Sequence, residues 1–191
     1  MTKAHLKRLE FAILVILMIF TRAADLLITY HYSPDLQHEA NPLVSFFQFH
    51  WQEFLFSSFL LTSFLSLCLY YDFFTSNTSY PKEKHLGFSD FASVHWFGRK
   101  RHLAYFLLAF AKDWDLRIKF IGYAGSRLLI FIGTIAALSW LGLSESKYFE
   151  AFYNFCFPAF PYIFIIFGAV YLLYSFLKKE YVAYQALQSE T

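Results

Sequence analysis

Four stretches of the chain stay apolar long enough to cross a lipid bilayer as helices: Leu9 to Tyr30, Glu53 to Phe74, Phe120 to Leu143 and Ala151 to Leu177. Crossing about 30 Å of hydrocarbon takes about 20 residues at a helical rise of about 1.5 Å each, and every stretch reaches that length. A fifth apolar segment, Leu103 to Ala111, is too short, because a helix of that length rises only about 14 Å. It is flanked by Arg99-Lys100-Arg101 and Lys112-Asp113-Trp114. It therefore predicts a short interfacial or re-entrant piece, or a run into the third span.

The basic residues between these stretches set the orientation. Three lie at the N-terminus (Lys3, Lys7, Arg8), none between His31 and Gln52, eight between Asp72 and Lys119, one (Lys147) in the next loop and two (Lys178, Lys179) after the last stretch. This alternation predicts both termini in the cytoplasm and the loop 31–52 outside. The expected fold class is all-α: a polytopic membrane protein forming a four-transmembrane-helix bundle. It is a single transmembrane domain over residues 1–191 with a basic cytoplasmic loop at 75–119, placed in a bacterial cytoplasmic (inner) membrane. A secretory signal peptide is the rival reading of the N-terminus, from the apolar stretch Phe11 to Phe20 and the small pair Ala23-Ala24. Arg22 and Asp25 suit its cleavage site poorly, and apolarity resumes at Leu26-Leu27-Ile28 as a continuing span requires.

Composition sharpens the class. With 58% apolar, 23% aromatic and 16% charged residues, the chain is unlike a soluble domain, a disordered segment or a nucleic-acid module. Cys68 and Cys156 have no metal-type spacing and fall at different depths of the second and fourth spans, which predicts two unpaired thiols.

Charge inside the first span is the strongest candidate chemistry. Arg22, Asp25 and Thr29 follow one another at helical spacing, on one face near the outer end. The twelve Leu, Ile, Val and Phe residues of this span favour insertion by roughly 4 to 7 kcal/mol, while a central arginine and aspartate together cost roughly 5 to 7. That face must turn toward protein or water. Arg22 and Asp25 are expected to pair, either as a register-fixing salt bridge or as part of a polar site open to the outside.

The loop that follows holds His38 and Glu39-Ala40-Asn41-Pro42. Asn41-Pro42 reads as a helix start, with Glu39 favoured just before its N-terminus. Asp25-x3-Thr29 followed by Glu39-x-Asn41-Pro42-Leu43 resembles small bacterial and archaeal multi-span membrane proteins of unassigned function that share a D-x3-T … E-x-N-P signature. The match covers Arg22 to Leu43. It implies a membrane protein built around this hairpin, directs attention to Asp25, Thr29, Glu39 and Asn41, and brings no activity with it. A lysine in a later span belongs to that pattern, and Arg127 is the nearest residue to it here.

His31, His38 and His50, with Asp35 and Glu53, add ligand-type side chains at the outer end, and His50-x2-Glu53 places two on one helical face. The spacings match no metal motif, so His38, Glu39, His50 and Glu53 are weak metal candidates, and the same groups would serve a proton relay. In the third span Gly122, Gly125, Ser126, Gly133, Ala136 and Ala137 predict the central helix of the bundle. Arg127 there either snorkels to lipid phosphates or meets a buried acid such as Asp72. Pro158 and Pro161 predict a late start or a kink in the fourth span, and the aromatics from Tyr148 to Phe167 a lipid-facing girdle. The basic segment, interleaved with His85, His95, Trp96, His102 and Trp114, fits the anionic leaflet, and no nucleic-acid partner is expected.

Neither a nucleophile elbow, a phosphate-cradling glycine loop, a dinucleotide fingerprint nor a zincin motif is present, and nothing names a cofactor. The leading expectation is a non-enzymatic bundle whose outer pocket of Arg22, Asp25, Thr29, Glu39 and Asn41 binds a partner helix, lipid headgroup or ion. Membrane lipids, a second copy or another membrane protein are the expected partners. The alternatives are an intramembrane hydrolase or lipid-carrier transferase using Asp25, His38, Glu39 and His50, and a small proton- or cation-coupled transporter acting as an oligomer.

Overall fold

A computed structural model of the chain describes residues 2–36, 44, 47–75, 79–102, 105–106, 110–145 and 160–189. Its regular elements are all helical: α1 (Lys3–Tyr32), α2 (Trp51–Tyr70) continued by a π-helical turn (Tyr71–Thr75), α3 (Phe88–Phe97), α4 (Trp114–Glu145) and α5 (Phe160–Ser189). Among the described residues, three helices are long and apolar enough to cross a membrane: Ala4–Tyr32, Trp51–Thr75 and Trp114–Trp140. They contain or closely match the first three expected spans.

The expected fourth span, 151–177, begins outside the described residues. Its later part is the start of α5, which does not stop at Leu177 but runs on to Ser189. Pro161 is the second described residue of α5. Pro158 and Cys156 lie outside the described residues.

The small residues of α4 do what their spacing predicts. A Cβ on Gly122 would sit 2.4 Å from the Cys68 carbonyl oxygen, and one on Gly133 3.1 Å from that of Thr21. The backbone of α4 therefore lies directly against α2 and close against α1, with α5 on a further side. Met18, Leu65, Leu69 and Leu129 fill the space between α1, α2 and α4. Cys68 is a buried free thiol within α2.

The loop expected at 75–119 is in part a folded unit. Residues 88–97 form α3, started after Gly87 and stopped by Gly98, whose φ of 75° is the left-handed cap that glycine adopts without strain. Trp96 is buried with Ala92, Ala111, Leu116, Phe176 and Leu177, and Phe91 packs on Tyr181 and Tyr184 of α5. Trp96 and His95 thus face a core, while His85, His102 and Trp114 remain exposed. Residues 110–113 are not helical, so the apolar piece 103–111 does not run into α4 as one helix. Instead, the Lys112 amide donates to the Trp96 carbonyl at 2.7 Å, folding the chain back on α3.

Candidate functional site

Charged and polar side chains gather at both ends of the bundle. At the C-terminal end of α1, Arg22 Nη1 donates to Asp25 Oδ2 at 2.6 Å, within the same helix face. Arg22 Nη2 donates to Ser58 Oγ of α2 at 2.9 Å, and the guanidinium lies 5.5 Å from the centre of the Phe54 ring. Arg22 and Asp25 are only 8% and 6% exposed, and Thr29 is buried one turn on. Leu36, Val44 and Phe54, with Leu26 and Trp51 against them, pack as an apolar cluster at this end. Trp51 Nε1 donates to the Pro34 carbonyl at 2.6 Å and ties the loop after α1 to the start of α2. Chemically this is a latch: a paired charge from which a second donor reaches the neighbouring helix, while the buried Arg22 Nε has no hydrogen-bond partner among the described residues.

The other sequence candidates at this end separate from the latch. His50 and Glu53 are exposed, and Glu53 Oε2 accepts from the His50 backbone N–H at 3.0 Å, so their spacing serves the N-terminus of α2. His38, Glu39 and Asn41 lie outside the described residues. Among the described residues, no three His, Cys, Asp or Glu side chains converge as a metal site would need.

At the opposite end, where the basic residues concentrate, lies a cleft of about 790 Å³. Lys7 and Glu10 come from α1, Asp72 and Phe73 from the π-helical turn, Lys119, Tyr123 and Arg127 from one face of α4, and Lys179, Glu180 and Ala183 from α5. Ser79 and Tyr80 complete the lining. Three ion pairs cross it. Lys179 Nζ meets Asp72 Oδ2 at 2.9 Å, Arg127 Nη2 meets Glu10 Oε1 at 3.6 Å, and Lys119 Nζ meets Glu180 Oε1 at 3.8 Å. Arg127 also stacks on the Tyr123 ring at 3.9 Å and donates to the Tyr123 carbonyl. Of the two expectations for Arg127, snorkelling to lipid phosphates or meeting a buried acid such as Asp72, the acid named pairs with Lys179 of the extended α5, and the acid near Arg127 is the exposed Glu10.

Behind this cleft, His95 is 2% exposed and stacks between Phe91 and Tyr80, with ring centres 5.0 and 5.6 Å away. Its Nε2 is 3.9 Å from Glu180 Oε2, which also accepts from the Tyr80 hydroxyl at 3.2 Å. Neither imidazole nitrogen has a hydrogen-bond partner among the described residues. Burial, with the positive charges of Lys112 and then Lys119, holds its pKa down at about 4, so the ring is neutral at neutral pH.

Of the sequence candidates, then, Arg22, Asp25 and Thr29 come together at one end and Arg127 belongs to the cleft at the other. Reasoning from sequence missed Lys7, Glu10, Lys119, Lys179, Glu180 and Tyr80 as partners. A signal was present in Lys119, Tyr123 and Arg127, spaced by four along α4 and hence on one face. Comparison of the chain with protein-family models, curated proteins and solved structures produced no match in any of the three.

Proposed function

We propose that the chain is a four-span helix-bundle protein of a bacterial cytoplasmic membrane, with both termini inside, acting as a non-enzymatic binding protein through the cleft at its cytoplasmic end. In this reading the first part of α5 is the fourth span. The observation that carries it is the difference in closure between the two polar ends. The Arg22–Asp25–Ser58 group is buried beside an apolar cluster, whereas the cleft offers about 790 Å³ with charged walls, a volume typical of small-molecule sites. The distribution of basic residues puts that cleft on the cytoplasmic side. The hairpin carrying the D-x3-T … E-x-N-P pattern then serves as scaffold, with the latch holding α1 to α2.

Cysteine labelling tests this in a background carrying Cys68→Ala and Cys156→Ser. Ser79→Cys and Ala183→Cys, both exposed positions of the cleft, are expected to react with an impermeant maleimide in inverted vesicles and to be protected in spheroplasts. Ser58→Cys, at the latch, is expected to react in neither. Labelling of the cleft positions from outside, or no labelling from either side, overturns the proposal.

A further inference from the structure

We propose that the cleft binds a phosphate group, that of an anionic phospholipid headgroup in the cytoplasmic leaflet, with Arg127 and Lys7 as its principal contacts. This rests on the cytoplasmic cleft being the binding site.

Charge accounting selects the wall. Seven charged side chains line the cleft, four basic and three acidic. Asp72 and Glu180 are buried and held, Asp72 by Lys179 at 2.9 Å and Glu180 by the Tyr80 hydroxyl at 3.2 Å with Lys119 at 3.8 Å. Their charge is committed. Glu10 is the remaining acid, 58% exposed on its side chain and 3.6 Å from Arg127, beyond hydrogen-bond length, so an incoming anion displaces it at little cost. Lys7 makes no ion pair among the described residues and lies one turn before Glu10 on α1. The Lys7–Arg127 wall is therefore where the cleft is electropositive.

The chemistry of that wall fits phosphate. A guanidinium presents a planar fork that matches two phosphate oxygens, and here one nitrogen already donates to the Tyr123 carbonyl while the ring supports the plane from one side. Lysine adds a mobile point charge. The depth also fits a headgroup. Ser79 and Tyr80 line the cleft from the loop, while Lys119 to Arg127, about 12 Å of α4, lie within the candidate span Trp114–Trp140, so the cleft reaches from the loop level into the level of that span. Exposed apolar side chains such as Leu9 and Ile13 on α1 provide the surface along which acyl chains can lie.

The test uses the full chain in nanodiscs of phosphatidylcholine, alone or mixed with phosphatidylglycerol, released for native mass spectrometry. Wild type is expected to retain phosphatidylglycerol selectively. Arg127→Gln and Lys7→Gln should each weaken retention about tenfold, and Arg127→Lys should recover only part of it. Lys82→Gln and Lys84→Gln, which remove equal charge from the exposed loop, should leave retention unchanged. Lys7→Gln keeps the test usable where an Arg127 variant fails to fold. Equal loss in Lys84→Gln and Lys7→Gln, or unaltered retention in both cleft variants, overturns the site. Inorganic phosphate is the second probe: displacement of lipid at low millimolar phosphate supports a phosphate site but overturns its assignment to lipid. If neither probe binds while Ser79→Cys is labelled from the cytoplasmic side, the phosphate proposal fails and the open cleft stands.

Discussion

The two ends of the bundle meet one problem, charge in a largely apolar protein, in opposite ways. At the latch a single arginine takes its counter-ion from its own helix, three residues away, and gives a second contact to Ser58 of the next helix. At the cleft, seven charged groups come from four segments, and two of the three ion pairs are longer than a hydrogen bond. A tight, self-contained pair fixes position because any movement strands a buried charge. The Arg127–Glu10 pair, over an open volume and with an exposed acid, leaves charge that can exchange one partner for another. Polar residues in so apolar a chain are thus informative less by their presence than by how tightly their neighbours hold them.

The largest expected effect comes from breaking the latch. Asp25→Asn leaves Arg22 buried without its counter-charge and should lower stability by about 3–5 kcal/mol, read as thermal unfolding of the detergent-solubilised protein. The pair Arg22→Met with Asp25→Leu should recover most of that loss, and a double variant no better than the single would show that the pair contributes more than charge balance.

A second experiment probes the cleft's rear wall. The unfolded chain holds a histidine pKa of 6.5 and the folded chain one of about 4, so between them the unfolded state binds a proton that the folded state does not. His95 therefore leaves stability whole above about pH 6.5 and erodes it toward pH 4, by about 3 kcal/mol. His95→Phe, which keeps a ring between Phe91 and Tyr80, should flatten that acid limb in a pH series of melting curves.

Smaller still, Lys7→Gln should change stability by under about 0.5 kcal/mol while weakening ligand retention, which separates binding from folding at the cleft. The smallest effect belongs to the exposed pair of Lys100 and Asp90, 2.7 Å apart, in which the carboxylate raises the lysine pKa. Asp90→Ala should leave the melting midpoint unchanged in physiological salt.

What could be read from sequence follows the range of the interaction. The helices α1, α2 and α4 are legible because a long apolar run has few alternatives, and the Arg22–Asp25 pair because both partners lie on one helix. Ser58 as third member was not, since nothing local joins residues 36 apart. Helix α3 was hidden in a charged loop, although Gly87 and Gly98 bracket it. Its apolar face makes sense only against Tyr181 and Tyr184 of an α5 longer than hydropathy alone suggests. The same extension explains the cleft. Lys178-Lys179-Glu180 reads as the start of a polar tail until the helix is seen to continue through it.

Lys179 and Glu180 are adjacent in sequence yet fasten to different elements, one to Asp72 after α2 and the other to Lys119 of α4. During synthesis both earlier residues emerge long before these two partners do. The charged wall of the cleft is therefore completed late in synthesis. A chain stopped short of residue 179 would present Asp72 and Lys119 without these two partners.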